Sequence, residues 1–264
     1  MKKIVTSKLM GGLGNQMFQI STAYAYGKKF ELDIKFDFNH CFTPLQGNPS
    51  SKYVNNFFSN LSSFVIDQNF FSDYIVFNEN NKNYEEIPYF GSNVLLSGYF
   101  QNKNYFLTYE DEIKNLFKFS EESNEKVNNF ISKLKNKETT SIHVRRGDYL
   151  NFPNIHPTCD KEYYQKTMEK FIDVNFIIVS DDINWCKENI KGDNIFYSDF
   201  TDEIDDLNLL RKCDNNIIAN STFSWWGAFL NENKKKKIFA PKTWFGESGP
   251  EYGKNIVPIN WIKL

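Results

Sequence analysis

The chain has 264 residues, a formal net charge of -2 and an aromatic content of 17%, with 26 phenylalanines and 14 tyrosines. That length supports one large or two small domains around a bulky core, and the near-neutral charge gives no overall attraction to nucleic acid or to an anionic membrane. Four cysteines, Cys41, Cys159, Cys186 and Cys213, stand without C-x-x-C spacing, and the histidines number three. This pattern argues against a zinc site and fits a reducing compartment.

The chain opens on Lys2-Lys3-Ile4-Val5, which reads as a first strand, and no apolar run reaches membrane-spanning length. A soluble, cytoplasmic protein is expected. Ile4 to Met10 forms the strand, Gly11-Gly12-Leu13-Gly14 a tight turn, and Asn15 to Phe30 a helix. The alternation Leu32, Ile34, Phe36, Phe38 makes a second strand and completes a βαβ unit. Its glycine turn is either a backbone cradle for phosphate or a turn needed for backbone geometry alone. Met17 takes the place of the third glycine in G-x-G-x-x-G, and no P-loop Gly-Lys-Ser/Thr occurs. From about Thr43 to Phe90 aromatic residues punctuate Asn- and Ser-rich stretches, and no element can be placed. Val94 to Phe100 reads as a strand, Glu112 to Phe119 and Glu121 to Leu134 as helices, and Lys133 to Lys137 as a hinge. Two domains follow, 1–136 and 137–264.

In the second half, strands at Ser141 to Val144, Phe176 to Val179, Ile195 to Tyr197, Ile217 to Ala219 and Ile238 to Ala240 alternate with helical stretches. Those helices run Asp160 to Phe171, Trp185 to Ile190, Asp202 to Arg211 and Trp225 to Leu230. Single helices between strands imply an α/β fold, a parallel sheet with helices on both faces. Ligands of such sheets collect beyond the strands' carboxyl ends.

Three of those ends carry polar clusters. Only three arginines occur among 31 basic residues, and two are adjacent, in His143-Val144-Arg145-Arg146-Gly147-Asp148-Tyr149. A guanidinium grips two oxygens of one anion where an ammonium offers a point charge, so the segment reads as an anion site. Ser180-Asp181-Asp182 could bind ribose hydroxyls or base edges, or cap a turn. Asn220-Ser221-Thr222-Phe223-Ser224-Trp225-Trp226-Gly227 puts small hydroxyls before a helix start, which suits either a phosphate or ordinary capping. No two aspartates are spaced D-x-D, so the arginines would neutralise a leaving diphosphate in place of a metal ion. Lys234 to Lys237 reads as a solvated turn, with weak contact to a membrane surface as its second reading.

These segments, together with Gly11-Gly12-Leu13-Gly14-Asn15-Gln16-Met17-Phe18-Gln19 and Gly98-Tyr99-Phe100-Gln101, resemble in order the alpha-1,2-fucosyltransferases of glycosyltransferase family 11. The resemblance implies two Rossmann-like domains facing a cleft, in a GT-B-like arrangement. The first would be the acceptor-side domain and the second would bind GDP-fucose. It also implies metal-independent, inverting transfer of L-fucose from GDP-β-L-fucose to the 2-hydroxyl of a terminal β-galactoside, with no cofactor. By the same resemblance Arg145 contacts the donor's diphosphate. GDP-fucose is then held by Gly11, Gly12, Gly14, Asn15, Gln16, His143, Arg145, Arg146, Asp181, Asp182, Asn220, Ser221, Thr222, Phe223 and Ser224. Asp148, the carboxylate nearest the arginines in sequence, is expected either to take the acceptor's proton or to fold back and brace the arginine turn. Animal members of the family usually carry an amino-terminal anchor that this chain lacks, so a cytoplasmic enzyme is expected, at most touching the inner face of a membrane. Transfer with another linkage or acceptor and a non-catalytic nucleotide- or glycan-binding module are the alternative readings. Nucleic-acid binding is disfavoured by the net charge and the lack of a basic block beyond Lys234 to Lys237.

Overall fold

The computed structural model describes residues 2–39, 47–66, 73–80, 82–134 and 137–264. Cys41 and part of the Lys133 to Lys137 hinge lie outside them. The chain divides into two units, Met1–Lys118 and Phe119–Leu264.

In the first unit, β1 (Ile4–Ser7) leads through the glycine turn into α1 (Leu13–Lys29) and on to the short β2 (Asp33–Ile34). Gly11 has φ +75°, a backbone region that favours glycine. Next come β3 (Ile75–Asn78), β4 (Val94–Ser97) and α2 (Glu110–Leu116). The four strands are all parallel, in the order β2-β1-β4-β3. The stretch that gave no periodic signal supplies much of the aromatic packing: Phe57 stacks on Phe117 at 5.6 Å, and Phe58 meets Tyr53 at 5.3 Å and Phe38 at 5.8 Å. It also contributes β3. This strand lies at the sheet edge with Ile75 and Val76 exposed, so no inside-outside alternation marks it in the sequence.

The second unit begins with α3 (Glu121–Ser132) and continues through β5 (Thr139–Val144), α4 (Lys161–Met168), β6 (Asn175–Ser180) and α5 (Ile183–Asn189). It closes with β7 (Ile195–Tyr197), α6 (Glu203–Lys212), β8 (Asn215–Ile217), α7 (Thr222–Leu230), β9 (Ile238–Ala240) and β10 (Ile262–Lys263). The unit thus starts ahead of α3, not at residue 137. The reason is packing: Val127 of α3 is buried against Leu209, Leu210 and Cys213.

All six strands are parallel, in the order β10-β9-β8-β5-β6-β7. Ile142, Val144, Phe176 and Ile178 face one layer with Tyr164, Met168 and Cys186, while Ile177 and Val179 face the other. Helices therefore cover both faces, as single-helix crossovers require. The strand expected at Ile217 to Ala219 begins earlier, at Asn215. Its two buried asparagines are satisfied by distant partners: Asn215 Nδ2 donates to Glu138 Oε1 (3.0 Å), and Asn216 Nδ2 to Ser141 Oγ (2.8 Å) and the Leu210 carbonyl (2.7 Å). No described helix is long and apolar enough to cross a membrane.

Candidate active site

The strand order of the second unit reverses direction between β5 and β8. From β5 the chain winds outward to β6 and β7, then returns to the other side of β5 for β8, β9 and β10. Such a switch point opens a crevice beyond the carboxyl ends of the two central strands. The arginine segment leaves β5 there, and Asn220 to Ser224 leads from β8 into α7 beside it.

Five of the expected site residues meet in one ion-paired cluster. Arg145 Nη2 donates to Asp148 Oδ1 at 2.6 Å and Nη1 contacts Asp181 Oδ2 at 3.0 Å, with the Arg145 side chain 35% exposed. Arg146 turns elsewhere. Its Nε donates to Asp182 Oδ2 at 3.1 Å and its guanidinium lies over the Trp185 ring at 4.2 Å. The two neighbours thus diverge, as alternation along an extended segment requires. Asp181 Oδ1 accepts the Arg146 backbone N–H at 2.9 Å, and Asp182 Oδ1 caps α5 through the Trp185 N–H at 3.1 Å. The acidic pair therefore shapes the arginine turn, with both side chains still partly exposed. Gly147 permits that closeness, since a Cβ there would lie 2.6 Å from Asp181 Oδ2.

The second cluster is tied to the first by Tyr149, whose hydroxyl donates to the Asn220 carbonyl at 3.1 Å. Asn220 is a fastener: its Nδ2 donates to the carbonyls of Pro157 (2.8 Å) and Trp244 (2.9 Å). The Ser224 hydroxyl likewise points back, to the carbonyls of Ser221 (3.2 Å) and Ala219 (3.4 Å). Ser221 is the N-cap of α7 but makes no side-chain cap, and the first turn contains no acidic residue. That end keeps its partial positive charge for an anion. His143 lies beneath, its ring 5.5 Å from Phe223. Burial, with the Arg145 charge adding to it, pushes its pKa down to about 3, so the imidazole is neutral. A buried neutral histidine supports the turn and brings no charge to a phosphate.

Gly11, Gly12, Gly14, Asn15 and Gln16 belong to the first unit. There the Asn15 and Gln16 N–H groups donate to the Gly12 carbonyl at 2.9 and 3.1 Å, and Gln16 Nε2 donates to the carbonyls of Gly11 and Asn48, each at 2.9 Å. Sequence reasoning assigned Tyr149 no role of its own within the arginine segment, and it held no sign that Trp185 and His156 pack against that segment. His156 stacks on Tyr149 at 4.6 Å, and burial lowers its pKa. Its only signal was that it is one of the chain's three histidines and the one that follows the arginine pair, ten residues after Arg146. Among the described residues no group of three or more side chains could hold a metal ion.

Glycosyl transferase family 11 matches residues 1–264. The O-antigen biosynthesis glycosyltransferase WbnK of Escherichia coli is 29% identical over 98% of this chain and 99% of its own. An alpha-1,2-colitosyltransferase of Escherichia coli is also 29% identical, over 99% of each chain. Galactoside alpha-(1,2)-fucosyltransferase 2 of Hylobates lar is 26% identical over 85% of this chain and 68% of its own. The fold is that of solved fucosyltransferases: NodZ from Bradyrhizobium aligns with a TM-score of 0.57 at 12% identity, covering 86% of this chain and 92% of its own. POFUT1 in complex with GDP-fucose aligns at 0.52 and 14%, covering 90% and 98%. Matched along its whole length, the chain belongs to glycosyltransferase family 11.

Proposed function

We propose that the chain transfers L-fucose from GDP-β-L-fucose, with inversion, to the 2-hydroxyl of a terminal β-galactoside. The observation that carries the leaving-group side of this reading is the Arg145 guanidinium, gripped by Asp148 and Asp181 at the switch point beside the start of α7, and the linkage is supported by the alpha-1,2 relatives. As the acceptor hydroxyl attacks the anomeric carbon and releases its proton to solvent, the bond from that carbon to the phosphate oxygen breaks and negative charge grows on GDP. A cation and a helix terminus already fixed in place stabilise that charge without reorganising. Arg145 is the residue in contact with the diphosphate, and Arg146, Asp181, Asp182 and Asn220 hold the loops that present it. No cofactor or divalent ion is needed, because the arginine takes the neutralising role and the chain has no D-x-D pair. The cytoplasm is the compartment we propose for the reaction.

Incubation with GDP-fucose and an array of galactose-terminated glycans, followed by linkage analysis, tests the proposal. An alpha-1,2-fucosylated product is expected, and its yield should persist in excess chelator. Activity lost to chelator and restored by manganese or magnesium would overturn the role given to Arg145. The relative that transfers colitose favours one further assay, with the colitosyl counterpart of the donor.

The position of Asp148 favours bracing over proton transfer, since its Oδ1 accepts from Arg145 at 2.6 Å. Asp148→Asn weakens a charge-assisted bond on the very group that meets the diphosphate. GDP affinity and turnover should then fall together, by roughly tenfold each. Calorimetry with GDP beside steady-state kinetics checks this, and intact affinity with depressed turnover would return the aspartate to the base role.

A further inference from the structure

The connection leaving β4 contains a strained residue, a clamped turn and an unpaired amide oxygen. Phe100 has φ +51° and is fully buried. A side chain larger than glycine holds that conformation only where its surroundings enforce it, and such residues gather at functional sites. The enforcing group is Glu79, just past β3. Its Oε2 accepts both the Tyr99 N–H at 2.8 Å and the Phe100 N–H at 2.7 Å. Gly98 makes room for it, since a Cβ there would lie 2.4 Å from the Glu79 Cβ. From the other side, Gln19 of α1 fixes the same turn, with Nε2 donating to the Gly98 carbonyl at 3.2 Å and Oε1 accepting the Met10 N–H at 2.9 Å.

What this clamp delivers is Gln101. The residue is 5% exposed, and its Nε2 donates to Asn15 Oδ1 at 2.8 Å, in the first turn of α1. Its Oε1 is buried without a hydrogen-bond partner among the described residues, as is Oε1 of Gln16. Folded proteins rarely leave such an oxygen unmatched, because the lost hydration is not returned. Here two stand at the glycine turn, where the carboxyl ends of the adjacent parallel strands β1 and β4 put their loops together. An amide oxygen only accepts. It repels a phosphate, which has no donor to offer, and it suits a hydroxyl, which does.

We propose that Gln101 reads a sugar hydroxyl by accepting its hydrogen bond, and that Glu79 is the positioning residue that aims it. The inference rests on the transfer reading above, and the hydroxyl belongs either to the donor's sugar or to the acceptor glycan. Gln101→Met keeps the length of the side chain and removes the oxygen. It should lower kcat/KM roughly tenfold to a hundredfold, and the substrate whose KM rises identifies the source. With analogues lacking one hydroxyl in turn, the loss should vanish for one position only, which a merely structural defect would not produce. Glu79→Ala should reproduce the loss, and Glu79→Gln, which retains an oxygen for both N–H groups, should restore most of it.

An unchanged kcat/KM for both substrates, or an equal loss with every analogue, overturns the proposal while leaving the transfer reading intact. If the wild-type chain transfers nothing, that reading fails. Calorimetry of the wild type and Gln101→Met with GDP-fucose and with a free galactoside then decides the contact alone: tighter binding by the wild type supports it, and equal binding overturns it.

Discussion

Arg145→Lys is expected to lower turnover with GDP-fucose by roughly a hundredfold or more, about 3 kcal/mol of transition-state stabilisation, with a smaller loss in ground-state binding. The reason is geometric. One edge of the Arg145 fork contacts Asp148 at 2.6 Å and another contacts Asp181 at 3.0 Å. A single ammonium cannot keep both partners and still present a fixed donor to the diphosphate. Arg146→Lys should affect turnover less, because that side chain is directed to Asp182 and Trp185 and is 16% exposed. Its effect should appear in stability instead, about 1 kcal/mol for the lost stacking. Kinetics and GDP calorimetry on both folded variants check the pair, and near-normal turnover for Arg145→Lys would remove it from the leaving group.

Trp225→Ala should destabilise the second unit by about 3 to 5 kcal/mol. Trp225 is fully buried in α7, 4.9 Å from Phe229, 5.2 Å from Trp226 and 5.4 Å from Trp261. Its Nε1 also donates to the Ile256 carbonyl at 3.0 Å, which the substitution strands. Trp225→Phe keeps most of the ring packing and should cost about 1 to 2 kcal/mol. Urea midpoints measure both, and an unchanged midpoint for Trp225→Ala would mean that the base of α7 is not anchored here. Because the same helix presents Ser221 to Ser224, weaker GDP binding should accompany the loss of stability.

Local chemistry and periodicity were enough to place β5, β6, β7 and β9, to join the first strand, glycine turn and helix, and to mark Arg145 and Arg146 as exceptional in a lysine-rich chain. The ordered motifs also carried the family. These features are written within a few consecutive residues, where side-chain type and the alternation of faces act directly on the backbone. The tertiary structure alone decided the rest. Asn215 and Asn216 look unfit for a buried strand until Glu138, Ser141 and the Leu210 carbonyl arrive to pair with them. The edge strand β3 lacks alternation because its outer side chains meet solvent. Asp181 and Asp182 read as ligand contacts or caps, and nothing in the sequence says that they also meet arginines more than thirty residues away. A hydrogen bond between distant residues depends on distances that only the closed chain sets, so the sequence determined which groups were available and the packing determined which of them remained for a substrate.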